Sequence, residues 1–130
     1  MVQGVSSMAA AIARDLHTDG PNAWLHYFGR SPGFFMASDG ALAFPSNDSA
    51  TAFVHAFAKA TRRIELHWGA LRVDSLAPGV AQLAAPFNEV VVDTAGREAK
   101  FSGYFTGVAV RADSEWSLRN AHWSMVHPAP

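Results

Sequence analysis

The chain has 130 residues and a formal net charge of −1, which fits one domain and offers no basic field to hold nucleic acid. Hydrophobic residues make up 49% and charged ones 16%, the balance of a cored globular protein rather than a disordered one. With no Cys there is no disulfide, thiolate nucleophile or thiolate metal site, and a reduced cytoplasm fits that usage.

Residues 1–18 lack the charged start and unbroken apolar block of a signal peptide. No run approaches the ~18 apolar residues of a membrane helix, so no membrane partner is expected. Val5, Met8, Ala9, Ile12 and Leu16 recur at helical spacing, which predicts an amphipathic helix over 2–17. Asp19-Gly20-Pro21 ends it, and Pro in a first turn suggests a short second helix over 21–28. Its apolar side is Trp24, Leu25 and Phe28, with Tyr27 at the margin.

Asp39-Gly40 between the apolar runs 34–38 and 41–44 is a hairpin signal. Pro45-Ser46-Asn47-Asp48-Ser49 supplies cap residues for a third helix, with Ala50, Phe53, Val54, Phe57 and Ala60 on one side. The period then changes. Ile64, Leu66 and Trp68 alternate with Glu65 and His67, which predicts a strand continuing to Leu76 with a bend or bulge at Gly69. Residues 80–92 form another strand, with Pro86 as a bulge or edge position.

Residues 97–127 read as a long hairpin around a turn at 112–115, rich in aromatic and β-branched residues. Strict alternation puts Trp116, Leu118, Asn120, His122 and Ser124 on one face of its second arm. The other face takes Ser117, Arg119, Ala121, Trp123 and Met125. Helices first and antiparallel strands after read as one α+β domain, with helices and a short hairpin over 1–62, long strands over 63–127 and a tail over 128–130.

This element order, with the C-terminal hairpin, resembles the nuclear-transport-factor-2-like superfamily, its SnoaL-like group. Members carry a Gly-x-x-Thr-x-Val arm, matched by Gly103, Thr106 and Val108. A Trp-x-hydrophobic-x-x-x-His-x-Ser arm follows, matched by Trp116, Leu118, His122 and Ser124. The second arm also resembles the association domain of calcium/calmodulin-dependent kinase. Residues 45–49 depart from relatives that place a Gly before the third helix. The resemblance implies a cystatin-like cone or α+β barrel, in which helices pack in the concave face of a strongly curved mixed or antiparallel sheet around a pocket. The convex face commonly pairs with a second copy. The superfamily includes isomerases, dehydratases, epoxide hydrolases and cyclases beside many non-enzymes, so the fold alone does not assign a function.

His122 is the candidate acid or base, set beside Asn120 and Ser124 on one strand face; these point to the pocket if that face is concave, and Arg119 and Trp123 do instead if it is convex. Tyr27 and Tyr104 are candidate polar orienting groups. Trp24, Phe28, Phe53, Phe57, Trp68 and Phe87 are candidate walls of an apolar cavity, with Trp24, Trp68 and Phe87 taken as ligand contacts. Glu89 and Asp74 sit on strands with the option of facing inward, but no carboxylate pair at a telling spacing exists. The His residues show no ligand spacing, so no metal is expected, and no motif calls for a cofactor.

The primary expectation is a homodimer that binds a hydrophobic small molecule in an apolar cone pocket, oriented by Tyr27, Tyr104, Asn120 and His122. Arg119, Trp123 and Met125 are expected on the convex face at the dimer contact. The alternatives are an isomerase, dehydratase or cyclase using His122 with Tyr104 as polarising donor, and an oligomerisation module without a ligand.

Overall fold

Val5, Met8, Ala9, Ile12 and Leu16 form the buried stripe of helix α1 (Val2–Asp19) in a computed structural model that describes residues 1–126. The chain leaves α1 at Gly20, whose φ of 80° suits a residue without a side chain, and its amide donates to the Leu16 carbonyl at 2.9 Å. Pro21 then opens a tighter 3-10 helix, Pro21–His26, in place of the α-helix expected to run to residue 28.

The first hairpin is β1 (Phe35–Ser38) and β2 (Ala41–Phe44), turning at Asp39 and Gly40, both with positive φ. Helix α2 (Asn47–Ala60) starts from Ser46, whose hydroxyl accepts from the Ser49 amide while the Ser49 hydroxyl accepts from the Ser46 amide. Ala50 and Val54 on α2 are buried, but Phe53 remains 49% exposed. The expected apolar face is therefore only partly covered.

The remaining strands are β3 (Thr61–Trp68), β4 (Arg72–Ala77), β5 (Val80–Asp93), β6 (Glu98–Ala112) and β7 (Glu115–Met125). The expected continuous strand from 64 to 76 is broken at Gly69, whose amide donates to the Pro86 carbonyl at 2.7 Å. A side chain at Gly69 would strike the Pro86 ring. Strands β3 and β4 thus pair with successive parts of β5.

The seven strands make one open, mixed sheet in the order β2-β1-β7-β6-β5-β3, with β4 also on β5. Strand β1 runs parallel to β7, and the other pairs are antiparallel. The fold is the expected α+β cone with its sheet left open rather than closed into a barrel. Its core lies between the inner sheet face and the helices, where Phe34, Phe87, Phe105, Ile12 and Leu16 are fully buried.

One irregularity sets which residues face that core. In the β6–β7 ladder Val108 pairs with Asn120, but Ala109 pairs with Leu118, leaving Arg119 as an extra residue. The backbone of Leu118 turns aside at this point. Its amide donates to the Tyr27 carbonyl at 2.7 Å, and its carbonyl accepts from the Gly29 amide at 2.8 Å. Beyond the bulge the side-chain parity is reversed. Leu118, Ala121 and Trp123 are all buried, while Arg119, His122 and Ser124 are exposed.

Candidate active or binding site

Trp123 is the hub of the inner face. Its ring lies edge-on to Trp24 at 5.6 Å and to Phe87 at 4.9 Å, tilted against Phe105 at 4.6 Å and stacked on Trp68 at 6.1 Å. Trp68 is fixed from behind, since its indole N–H donates to the Ala9 carbonyl of α1 at 2.8 Å. Of this cluster Trp24 and Trp123 line a cavity of about 400 Å³, a size suited to a small molecule.

The cavity takes its walls from every layer. The 3-10 helix contributes Trp24, the first hairpin Met36, Ser38 and Phe44, and α2 contributes Phe53, Val54 and Phe57. Strands β5 to β7 add Glu89, Val91, Phe101, Trp123 and Met125. Phe53 and Phe101 are 49% and 42% exposed, so they belong to the rim. Phe53 stacks on Phe57 at 5.7 Å and tilts against Phe44 at 4.9 Å, which makes one continuous aromatic side.

Glu89 is the one ionisable side chain among the described lining residues. It has the inward parity of Phe87 and Val91 on β5, opposite Leu66 of β3 and Phe101 of β6. Among the described residues it has no hydrogen-bond or ion-pair partner. Burial in this apolar setting pushes its carboxyl up to about 7. A carboxyl near that value is present both as acid and as base at neutral pH.

No known sequence family matches the chain, and no curated protein matches it in sequence. Solved structures do match its shape. A candidate scytalone dehydratase from Novosphingobium aromaticivorans superposes with a TM-score of 0.82 at 12% identity, covering 97% of this chain and 84% of that one. A nuclear-transport-factor-2-like superfamily protein from Salmonella enterica gives 0.79 at 13% identity, over 98% and 92% of the two chains. A type 2 hexachlorocyclohexane dehydrochlorinase gives 0.72 at 9% identity, over 98% and 92%. The chain has the nuclear-transport-factor-2-like fold.

Within this nuclear-transport-factor-2-like cone the sequence-predicted site residues are dispersed. Of the seven expected ligand contacts only Trp24 lines the cavity. Trp68 and Phe87 sit behind Trp123 as core. Tyr27 is buried but points to α1, where its hydroxyl donates to Asp15 Oδ2 at 2.5 Å. Burial and that bond push the Tyr27 phenol up to about 12, and the same bond, with Arg14 beside it, holds the Asp15 carboxyl below its ordinary range. Tyr104 is 42% exposed and pairs with Ser124 on the outer face.

His122 is likewise exposed on the outer face, paired with Thr106, and Asn120 lies on that side beside Val108. The expectation that the imidazole faces the pocket is corrected by the bulge at Arg119, which strict alternation does not anticipate. The same bulge corrects the expected outer contact surface. Arg119 is exposed, but Trp123 and Met125 turn inward and line the cavity. Asp74 is exposed on β4 and takes no part.

The other histidines, His17, His26, His55 and His67, are exposed on separate elements. No group of three His, Cys, Asp or Glu gathers among the described residues. His127 and the tail lie outside the described residues. No helix among the described residues is long and apolar enough to cross a membrane.

Phe28, Phe53 and Phe57, candidate walls in the sequence, do line the cavity, and Glu89, offered there only as an acid able to face inward, lies in it; Phe44 is the wall residue that sequence reasoning passed over. A signal for Glu89 was present, because a lone acid in the run 87–92 alternates with the buried Phe87 and Val91. Nothing in the sequence tells which parity looks into a cavity and which into packed core.

Proposed function

We propose that the protein binds a hydrophobic small molecule inside the cone, with Glu89 as the one ionisable contact. The carrying observation is the hollow itself: about 400 Å³ of apolar, aromatic-walled space in which Glu89 is the single acid and has no partner among the described residues. A pure assembly module has no need of such a space, since unfilled apolar volume costs stability. A neutral apolar dye such as Nile red tests the reading. Its fluorescence should rise on addition of the protein and should rise far less with Ala99→Trp, which puts an indole into the cavity that Ala99 of β6 lines. Equal signals from both proteins, or none from either, would refute it.

A second reading has a specific observation behind it. A carboxyl lifted to about 7 suits proton transfer to or from a bound substrate, as an isomerase or an eliminating enzyme requires. Glu89 takes over the acid–base role first expected of His122. The matched structures include proteins described as dehydratases and a dehydrochlorinase, which fits that chemistry without assigning it. Turnover that survives Glu89→Gln would exclude this reading.

Homodimer formation is proposed through the outer sheet face, around the exposed Tyr104 on β6. Trp123 and Met125 no longer belong to that contact. Light scattering that gives 13.9 kDa at micromolar concentration would exclude it.

A further inference from the structure

Among the described residues the acid in the cavity has no counter-charge. No Lys, Arg or His from the 3-10 helix, the first hairpin, α2 or strands β5 to β7 lines the space around Glu89. Aromatic side chains line the space with it instead: Trp24, Trp123, Phe44, Phe53 and Phe57, with Phe101 its cross-strand neighbour on β6. Ring faces carry negative electrostatic potential and attract a cation most strongly where water is excluded.

We propose that the cone pocket selects a hydrophobic amine, with the ammonium against the Glu89 carboxylate and the ring faces and the apolar body in the rest of the hollow. This rests on the small-molecule reading above and narrows it to a ligand class. An ionised Glu89 alone in this cavity is costly, and an incoming ammonium supplies the missing half of the pair. A ligand carboxylate meets like charge and, among the described residues, no donor of opposite sign. A neutral alcohol gains the apolar contact and at most one hydrogen bond, so the ring faces distinguish it poorly from plain hydrocarbon. Ser38, the other polar side chain on the wall apart from the indoles, carries no charge and favours neither sign.

Isothermal titration calorimetry with phenylbutylamine, phenylbutanol and phenylbutyrate, which share one carbon skeleton, tests the inference on the intact chain. The amine should bind at least about tenfold more tightly than the alcohol, and the carboxylate most weakly. In Glu89→Gln the amine should fall to the level of the alcohol, and a near-ultraviolet circular dichroism spectrum matching wild type shows that the variant is folded. The inference is overturned if wild type binds alcohol and amine equally, or if it binds the carboxylate as well as the alcohol. It is overturned too if the amine preference persists in Glu89→Gln. Those results leave the pocket reading standing. Failure of all three compounds to bind overturns both.

Discussion

Asp39, at the turn of the first hairpin, accepts a hydrogen bond from the backbone amide of Met125 at 2.8 Å, across 86 positions of sequence. The Asp39 amide in turn donates to the Trp123 carbonyl at 3.2 Å. The hairpin that carries Met36 and Ser38 is thereby tied to the strand that carries Trp123 and Met125, and all four line the cavity.

Removing that tie should loosen the cavity wall more than the core. Asp39→Ala should cost about 1 kcal/mol in urea unfolding, the usual net worth of such a bond. Asp39→Asn should cost less, because it keeps an acceptor oxygen and tolerates the φ of 49° at this position. Equal loss from both variants would mean that charge, not the hydrogen bond, holds the hairpin.

Glu89 should make stability fall with pH. Its carboxyl is lifted from 4.5 to about 7 in the folded chain, so the folded state keeps a proton that the unfolded state has released. That contribution is fully present below 4.5 and is lost as pH rises through about 7. Glu89→Gln should therefore be more stable than wild type at pH 8 by roughly 1–3 kcal/mol and near-equal at pH 4. Urea midpoints across the range check this. A constant difference at every pH would place the carboxyl in water.

Trp123→Ala should remove the centre of the aromatic cluster. The ring touches Trp24, Trp68, Phe87 and Phe105, and truncation of such a side chain costs about 3–5 kcal/mol. Loss of near-ultraviolet circular dichroism should accompany it, because the coupled rings lose their fixed geometry. A cost within about 0.5 kcal/mol, as for a surface residue, would contradict its inward position.

His122→Ala should change little. The side chain is exposed on the outer face, and substitutions at such positions stay within about 0.5 kcal/mol. Binding of Nile red should be unaffected. Weaker dye binding by a folded His122→Ala protein would return the imidazole to the pocket.

Much of the fold was legible because local chemistry and tertiary structure agree. The stripe of α1, the Asp39-Gly40 hairpin, the Ser46 cap and the long C-terminal hairpin all stand where periodicity and turn residues put them. Stopping α1 at Gly20 and interrupting the strand at Gly69 follow from backbone rules as well. The 3-10 form of residues 21–26 was not legible, because apolar spacing over six residues does not separate it from an α-helix.

The sequence by itself determined the elements, their order and the aromatic content of the core, since each follows from side-chain spacing within a few residues. Only the tertiary structure decided which side of β7 looks inward. A single unpaired residue, Arg119, reverses the parity of everything after it. That residue is displaced because Leu118 gives its backbone bonds to Tyr27 and Gly29, more than 85 positions earlier. Alternation is a local rule, and a bulge created by a distant partner breaks it. For that reason His122 faces out while Trp123 and Met125 face in.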